Sequence, residues 1–226
     1  MSDHIVLRHN KIDLALHLLR AEPLDPATPS RPLLLLHGLG DRSPSSVPHW
    51  CETWPGPIAA LDFTGHGDST VPGGGGYSPE LLMADVDQAL AYLTDDDPAR
   101  SITVLGRGLG AYVALQIAGA RASQIHGAIL VDGPGLAGGP TGPTSQSVVA
   151  LDTDGSSPDP YALVELGRDL RPGDYAVSFV NLANAGSPAT TPITVASSFR
   201  PKWLAAVVEA PGVIEASLGD ALATYA

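Results

Sequence analysis

The chain alternates between short, wholly apolar runs and longer stretches with helical spacing. Leu33, Leu34, Leu35 and Leu36 follow Pro32 and are closed by His37-Gly38. Ile58–Phe63, Ser101–Leu105, Gly127–Val131 and Ile193–Ser197 are runs of the same kind. Four to six consecutive apolar positions suit central strands of a parallel sheet, which are buried on both faces. Between them, Pro79–Leu93 carries apolar residues at 81, 82, 86, 89, 90 and 93. That period predicts a helix with Ser78 as N-cap. Gly110–Ala122 reads as the next helix, and Asp159–Leu170, Pro172–Ala185 and Lys202–Glu209 as later ones. Val213–Ala216 reads as a short strand and Gly219–Tyr225 as a last turn or two of helix. At the start, His4–Asn10 and Lys11–Arg20 predict two strands of a hairpin that turns at Asn10-Lys11. The regular exchange of strand and helix predicts an α/β fold, with a mostly parallel central sheet and helices on both faces. Gly133–Pro160, rich in Gly, Pro, Ser and Asp, breaks the rhythm.

Length and composition narrow this picture. The 226 residues fit one domain, 1–226. Twelve Lys and Arg against 24 Asp and Glu give a net charge of −12. Such a chain is repelled by nucleic acid and by anionic membranes, so neither is expected as a partner. Cys51 is the only cysteine, which excludes an internal disulfide framework and a cysteine-rich zinc site. No metal and no cofactor are expected. No apolar run approaches the ~20 residues of a membrane helix. Met1 is followed by Ser2, Asp3 and His4, without a basic and then apolar leader. The expectation is a cytoplasmic protein. A small-molecule ligand and a homodimer both remain open.

Three short motifs sit where parallel strands end, the edge at which open α/β sheets bind ligands. They are His37-Gly38-Leu39-Gly40, Asp62-Phe63-Thr64-Gly65-His66-Gly67-Asp68-Ser69, and Gly106-Arg107-Gly108-Leu109-Gly110. In this order and spacing they resemble the α/β-hydrolase superfamily over about residues 4–220. The resemblance implies that His37-Gly38 opens an oxyanion-hole loop. It implies that Gly106–Gly110 is the nucleophile elbow, and that 133–185 holds a small, reduced lid or insertion.

The sequence then departs from the family. The elbow motif is Gly-x-Ser-x-Gly, and position 108 is Gly. Glycine suits that strained turn, so the turn survives without its nucleophile. The family's acid follows the strand at Ile193–Ser197, where the chain reads Ser197-Ser198-Phe199-Arg200-Pro201. The family's histidine follows the last strand, and no histidine lies beyond 126. The backbone N–H of Leu109, and one from Leu39 or Gly40, should point at a common spot beside Arg107 and Gly108. A helix N-terminus there favours a carboxylate or carbonyl oxygen. Leu39, Gly40, Arg107, Gly108 and Leu109 are therefore the expected ligand-binding residues. The candidates for residual catalysis are His37, His66 and Asp132, the last because some family members carry their acid after the strand that precedes it. Ser43, Ser45 and Ser46 are the hydroxyls nearest the site. Cys51 beside His49 reads as a plain thiol rather than a displaced Cys–His pair.

Three functions compete. The first is a non-hydrolytic protein of this fold, without a Ser-His-Asp triad, that binds a small, partly apolar or carboxylate-bearing ligand or serves as a regulatory subunit. The second is a hydrolase of small esters, thioesters or lactones, or a lyase, with relocated groups. The third rests on Gly106-Arg107-Gly108-Leu109-Gly110-Ala111 read as Gly-x-Gly-x-x-Ala, with Asp132 ending the next strand: a dinucleotide-binding unit.

Overall fold

The computed structural model describes residues 4–139 and 157–226. Eight strands form one sheet in the order β1-β2-β4-β3-β5-β6-β7-β8. The hairpin is β1 (Ile5–His9) and β2 (Ile12–Arg20), turned through Asn10 at φ 57°. Strand β2 pairs antiparallel with β4 (Ile58–Leu61), which joins the hairpin to the main sheet. From β4 onward every pairing is parallel, through β3 (Leu33–Leu36), β5 (Ile102–Arg107), β6 (Ile125–Val131), β7 (Ile193–Ala196) and β8 (Val213–Glu215).

The leucines of β3 show why such a run makes a central strand. Leu34 and Leu36 enter the core on one face, Leu33 and Leu35 the core on the other. Side chains alternate along a strand, so both faces must be covered. Each buried leucine contributes ~1.5–3 kcal/mol relative to exposure. One face carries α1 (Pro79–Thr94), α2 (Leu109–Ala120), α4 (Gly173–Gly186) and α5 (Lys202–Val208). The other is covered by α6 (Leu218–Tyr225) with Cys51 and Trp54. The expected N-cap of α1 is present, with the Ser78 hydroxyl accepting from Leu81 N–H.

The expected lid divides into unlike parts. Helix α4 packs against α2 and α5 as part of the helical layer. Helix α3 (Pro160–Arg168) instead lies near the strand ends. A Cβ on Gly40 would meet Leu163 at 3.1 Å, and the Glu165 carboxylate accepts the N–H of Gly76 and Tyr77. The remainder of the 133–185 segment, 140–156, lies outside the described residues. No helix among the described residues is long and apolar enough to cross a membrane.

Candidate functional site

The elbow forms as the sequence motif requires. Strand β5 runs to Arg107, because Arg107 still pairs with Val131 of β6. The chain then turns through Gly108, at φ 58° and ψ −118°, into α2. L-residues with a side chain rarely adopt that conformation, and glycine does so freely. No nucleophile stands there.

The space above the elbow is filled by the chain itself. The Pro134 carbonyl oxygen accepts from Leu39 N–H at 3.0 Å and from Leu109 N–H at 2.9 Å. The two N–H groups thus converge as expected, with Leu39 rather than Gly40 as the second donor. The oxygen between them belongs to the protein, at the spot where the sequence led us to expect a ligand oxygen. A Cβ at position 108 would stand 2.0 Å from the same Pro134 oxygen. One at Gly38 would stand 2.8 Å from Pro134 Cδ. These glycines make room for main chain rather than for a substrate. The segment is also tied from behind. Arg171 Nη1 donates to the carbonyls of Gly135 at 2.6 Å and Leu136 at 2.9 Å, and Trp203 Nε1 donates to Leu136 O at 2.8 Å.

The groups at the other triad positions are hydrogen-bonded within the protein. Asp132 accepts from the Ser197 hydroxyl, from Ser198 N–H at 2.7 Å and from Phe199 N–H at 3.1 Å. Burial opposes its ionisation, but these donors outweigh it and hold the carboxyl below its usual range. Its work is to join the ends of β6 and β7. After β8, Ser217 caps α6 by accepting from Asp220 N–H. His37 and His66 come together, ring centroids 5.0 Å apart. His37 Nδ1 faces the Gly38 carbonyl at 2.7 Å and must donate, while Nε2 accepts from Phe63 N–H at 3.1 Å. Both nitrogens are used, so no lone pair is left for a substrate. Burial, then the neighbouring His66, pushes its pKa down to about 4. His66 Nδ1 bonds the Thr64 carbonyl at 3.2 Å, and its Nε2 has no partner among the described residues. Burial lowers its pKa too. Ser43 N–H donates to Asp62 Oδ1 at 2.6 Å, and Ser45 and Ser46 are exposed. Among the described residues no histidine bonds any of the three hydroxyls. Cys51 is buried, and burial pushes its thiol up to about 11. His49 bonds Glu52 instead.

The dinucleotide reading meets the same crowding. A pyrophosphate needs free N–H groups and open space beside the glycines. Leu109 N–H goes to Pro134, and Gly110 N–H goes to the His37 carbonyl at 3.1 Å. Cβ atoms on Gly106, Gly108 and Gly110 would strike backbone at 2.0–2.6 Å. Asp132 is committed to the loop after β7.

What remains open is a cleft of about 510 Å³ lined by Gly40, Asp41, Arg42, Gly67, Arg107, Pro134, Ser157 and Pro158. Beside it, a smaller cavity of about 270 Å³ has Leu35, Pro44, Pro48, Trp50 and Leu105 in its wall. Arg42 and Arg107 line both. Of the expected ligand residues, Gly40 and Arg107 line the cleft, while Leu39, Gly108 and Leu109 hold or admit the Pro134 carbonyl. Arg42 was not anticipated; its signal was a cation two residues past the Gly38–Gly40 turn in an acidic chain.

Residues 27–151 match the profile of a family described as serine aminopeptidase, S33. That is more than half of the chain. The protein belongs to this α/β-hydrolase family. No curated protein sequence matches the S33-family chain. Among solved structures, the thioesterase domain from the curacin biosynthetic pathway is similar at 17% identity and TM-score 0.62, over 98% of this chain and 96% of that one. Est1E from Butyrivibrio proteoclasticus, solved with ferulic acid, gives 13% and 0.60, over 94% and 88%. The N-formylmaleamic acid deformylase of Pseudomonas putida S16 gives 16% and 0.56, over 95% and 92%. At such identities these likenesses establish the fold alone. Of two other matched hydrolases the S33-family chain spans 43% and 44% of the length.

Proposed function

We propose that this family member is non-hydrolytic and binds a small amphipathic carboxylate. The observation that carries the reading is the Pro134 carbonyl, held by Leu39 and Leu109 N–H above a glycine elbow. Hydrolysis by a serine enzyme needs those two donors free for the oxyanion and a nucleophile beneath them. Neither need is met. The ligand class follows from the open space beside the plug. Arg42 and Arg107 line the cleft with one carboxylate, Asp41, which leaves its lining net positive in a chain of charge −12. Neither guanidinium has an ion-pair partner among the described residues, whereas Arg8, Arg100, Arg121, Arg171 and Arg200 do. Guanidinium pairs recognise carboxylates by forked hydrogen bonds. The adjoining wall of Trp50, Pro44, Pro48 and Leu105 takes the apolar part.

Calorimetric titration with ferulate and with octanoate tests this. Saturable binding is expected, weakened at least ~10-fold in Arg107→Gln and in Arg42→Gln, the loss of one charge-assisted contact. Equal affinity in wild type and both variants would remove the ligand assignment.

A second reading, hydrolysis of small esters, thioesters or lactones, draws on the family and on the unpartnered Nε2 of buried His66. It requires a stoichiometric fluorophosphonate adduct by intact mass, ester turnover above ~1 s⁻¹, and loss of that turnover in His66→Gln. Those results together would overturn the non-hydrolytic proposal; no adduct and no turnover would uphold it.

A further inference from the structure

The N-terminal hairpin and the Asp62–Ser69 loop bring together three residues far apart in sequence. One ring nitrogen each of His4 and His17 and a carboxylate oxygen of Asp68 lie within 4.8 Å of one another. The His4 and His17 ring centroids are 5.5 Å apart. His4 Nδ1 is shielded from solvent, has no hydrogen-bond partner among the described residues, and stands 3.8 Å from Asp68 Oδ2. That gap is too wide for a hydrogen bond. Zinc bonds of ~2.0–2.2 Å set tetrahedral donors about 3.3 Å apart, so a small inward shift of the exposed Asp68 closes it.

The surroundings orient these groups. Asp62 Oδ2 accepts from His17 Nε2 at 3.0 Å and from Asp68 N–H at 2.8 Å. One carboxylate therefore fixes both the His17 ring and the main chain that carries the Asp68 side chain. Because the Asp62 carboxylate accepts, Nε2 is the hydrogen-bearing nitrogen of a neutral His17 ring, and Nδ1 is then the nitrogen open to a metal. A carboxylate behind a histidine is the arrangement that aligns metal-binding imidazoles and raises their basicity. Two imidazoles and one carboxylate suit zinc and its first-row neighbours better than magnesium or calcium, which favour all-oxygen shells.

We propose that His4, His17 and Asp68 form a site for a divalent transition-metal cation that clamps the hairpin to the Asp62–Ser69 loop. Gly67, next to Asp68, lines the cleft, so the clamp braces one wall of it. The site is separate from the elbow and does not depend on the proposed carboxylate ligand.

The test is titration of the chelator-treated chain of residues 1–226 with Zn²⁺ by calorimetry and with Co²⁺ by visible absorption. One equivalent is expected, with the d–d bands of a low-coordinate cobalt site. His4→Ala and Asp68→Ala change partly exposed residues, and each should weaken binding at least tenfold. His49→Ala, which removes an exposed histidine elsewhere, should leave the affinity unchanged. Absence of saturable binding at 100-fold excess metal overturns the proposal. So does an affinity that neither His4→Ala nor Asp68→Ala alters, since the ion would then be bound elsewhere.

Discussion

Gly108 is the residue on which the site turns. Its φ of 58° and ψ of −118° are tolerable without a Cβ, and a Cβ there would meet Pro134 O at 2.0 Å. Gly108→Ser should therefore lower stability by at least ~2 kcal/mol, from backbone strain alone, and gain no fluorophosphonate label. Urea denaturation and intact mass check both. The vacancy at 108 and the lack of a histidine beyond 126 were legible in the sequence, because they depend on residue identity. The plug was not, because a carbonyl oxygen is common to every residue and leaves no mark; Gly133-Pro134-Gly135 was its only trace. The neutral, doubly bonded state of His37 was equally hidden, since it depends on Phe63 N–H, 26 positions away. Arg42 and Arg107 could be read as cations, but their shared cleft depends on the loop after β3 meeting the end of β5.

At the scale of elements, apolar runs and helical periods were enough to place every strand and α-helix of the described residues to within a few positions, and missed only the 3-10 turn His49–Cys51. Buried strands announce themselves because two covered faces demand continuous apolar sequence. The ends are less legible: β5 continues to Arg107 because β6 pairs with it, a tertiary cause. The lid expectation shows the same limit. An amphipathic helix such as α4 has one apolar face, and the sequence does not say whether that face meets α2 or spans a cleft. In the structure a Cβ on Gly119 of α2 would stand 2.8 Å from Phe179 of α4, so a glycine allows the two helices to touch. The C-terminal element makes its own prediction. Tyr225 of α6 donates to the Thr191 carbonyl at 2.6 Å and shares a 2.8 Å bond with the Thr194 hydroxyl, inside the second core. Tyr225→Phe leaves the buried Thr194 hydroxyl and the half-buried Thr191 carbonyl without this partner. It should cost ~1–3 kcal/mol in urea denaturation without altering ligand affinity at the cleft.

The whole molecule responds to pH through its buried acids. Asp85 of α1 is fully buried and accepts from both the N–H and the hydroxyl of Thr64. Burial dominates those bonds and raises its pKa to about 7. The folded chain then binds this proton more tightly than the unfolded one. The resulting stabilisation is full below pH ~4 and is lost as pH rises through about 7. Asp85→Asn can keep both Thr64 contacts without a charge. Its stability relative to wild type should therefore rise between pH 5 and 8, by ~2–3 kcal/mol, in paired urea melts. Asp62 and Asp132, held low by their donors, act in the opposite sense and weaken the fold at acid pH. The plug has a last consequence for the molecule as a whole. A group tethered beside its own receptor competes at millimolar effective concentration or higher, and here Arg171 and Trp203 pre-orient it as well. Any dissolved ester must evict this resident competitor before its carbonyl can be polarised. On the non-hydrolytic proposal, building serine-hydrolase chemistry into this scaffold would take removal of the 133–136 bend along with installation of a triad, and the order matters: eviction first, chemistry second.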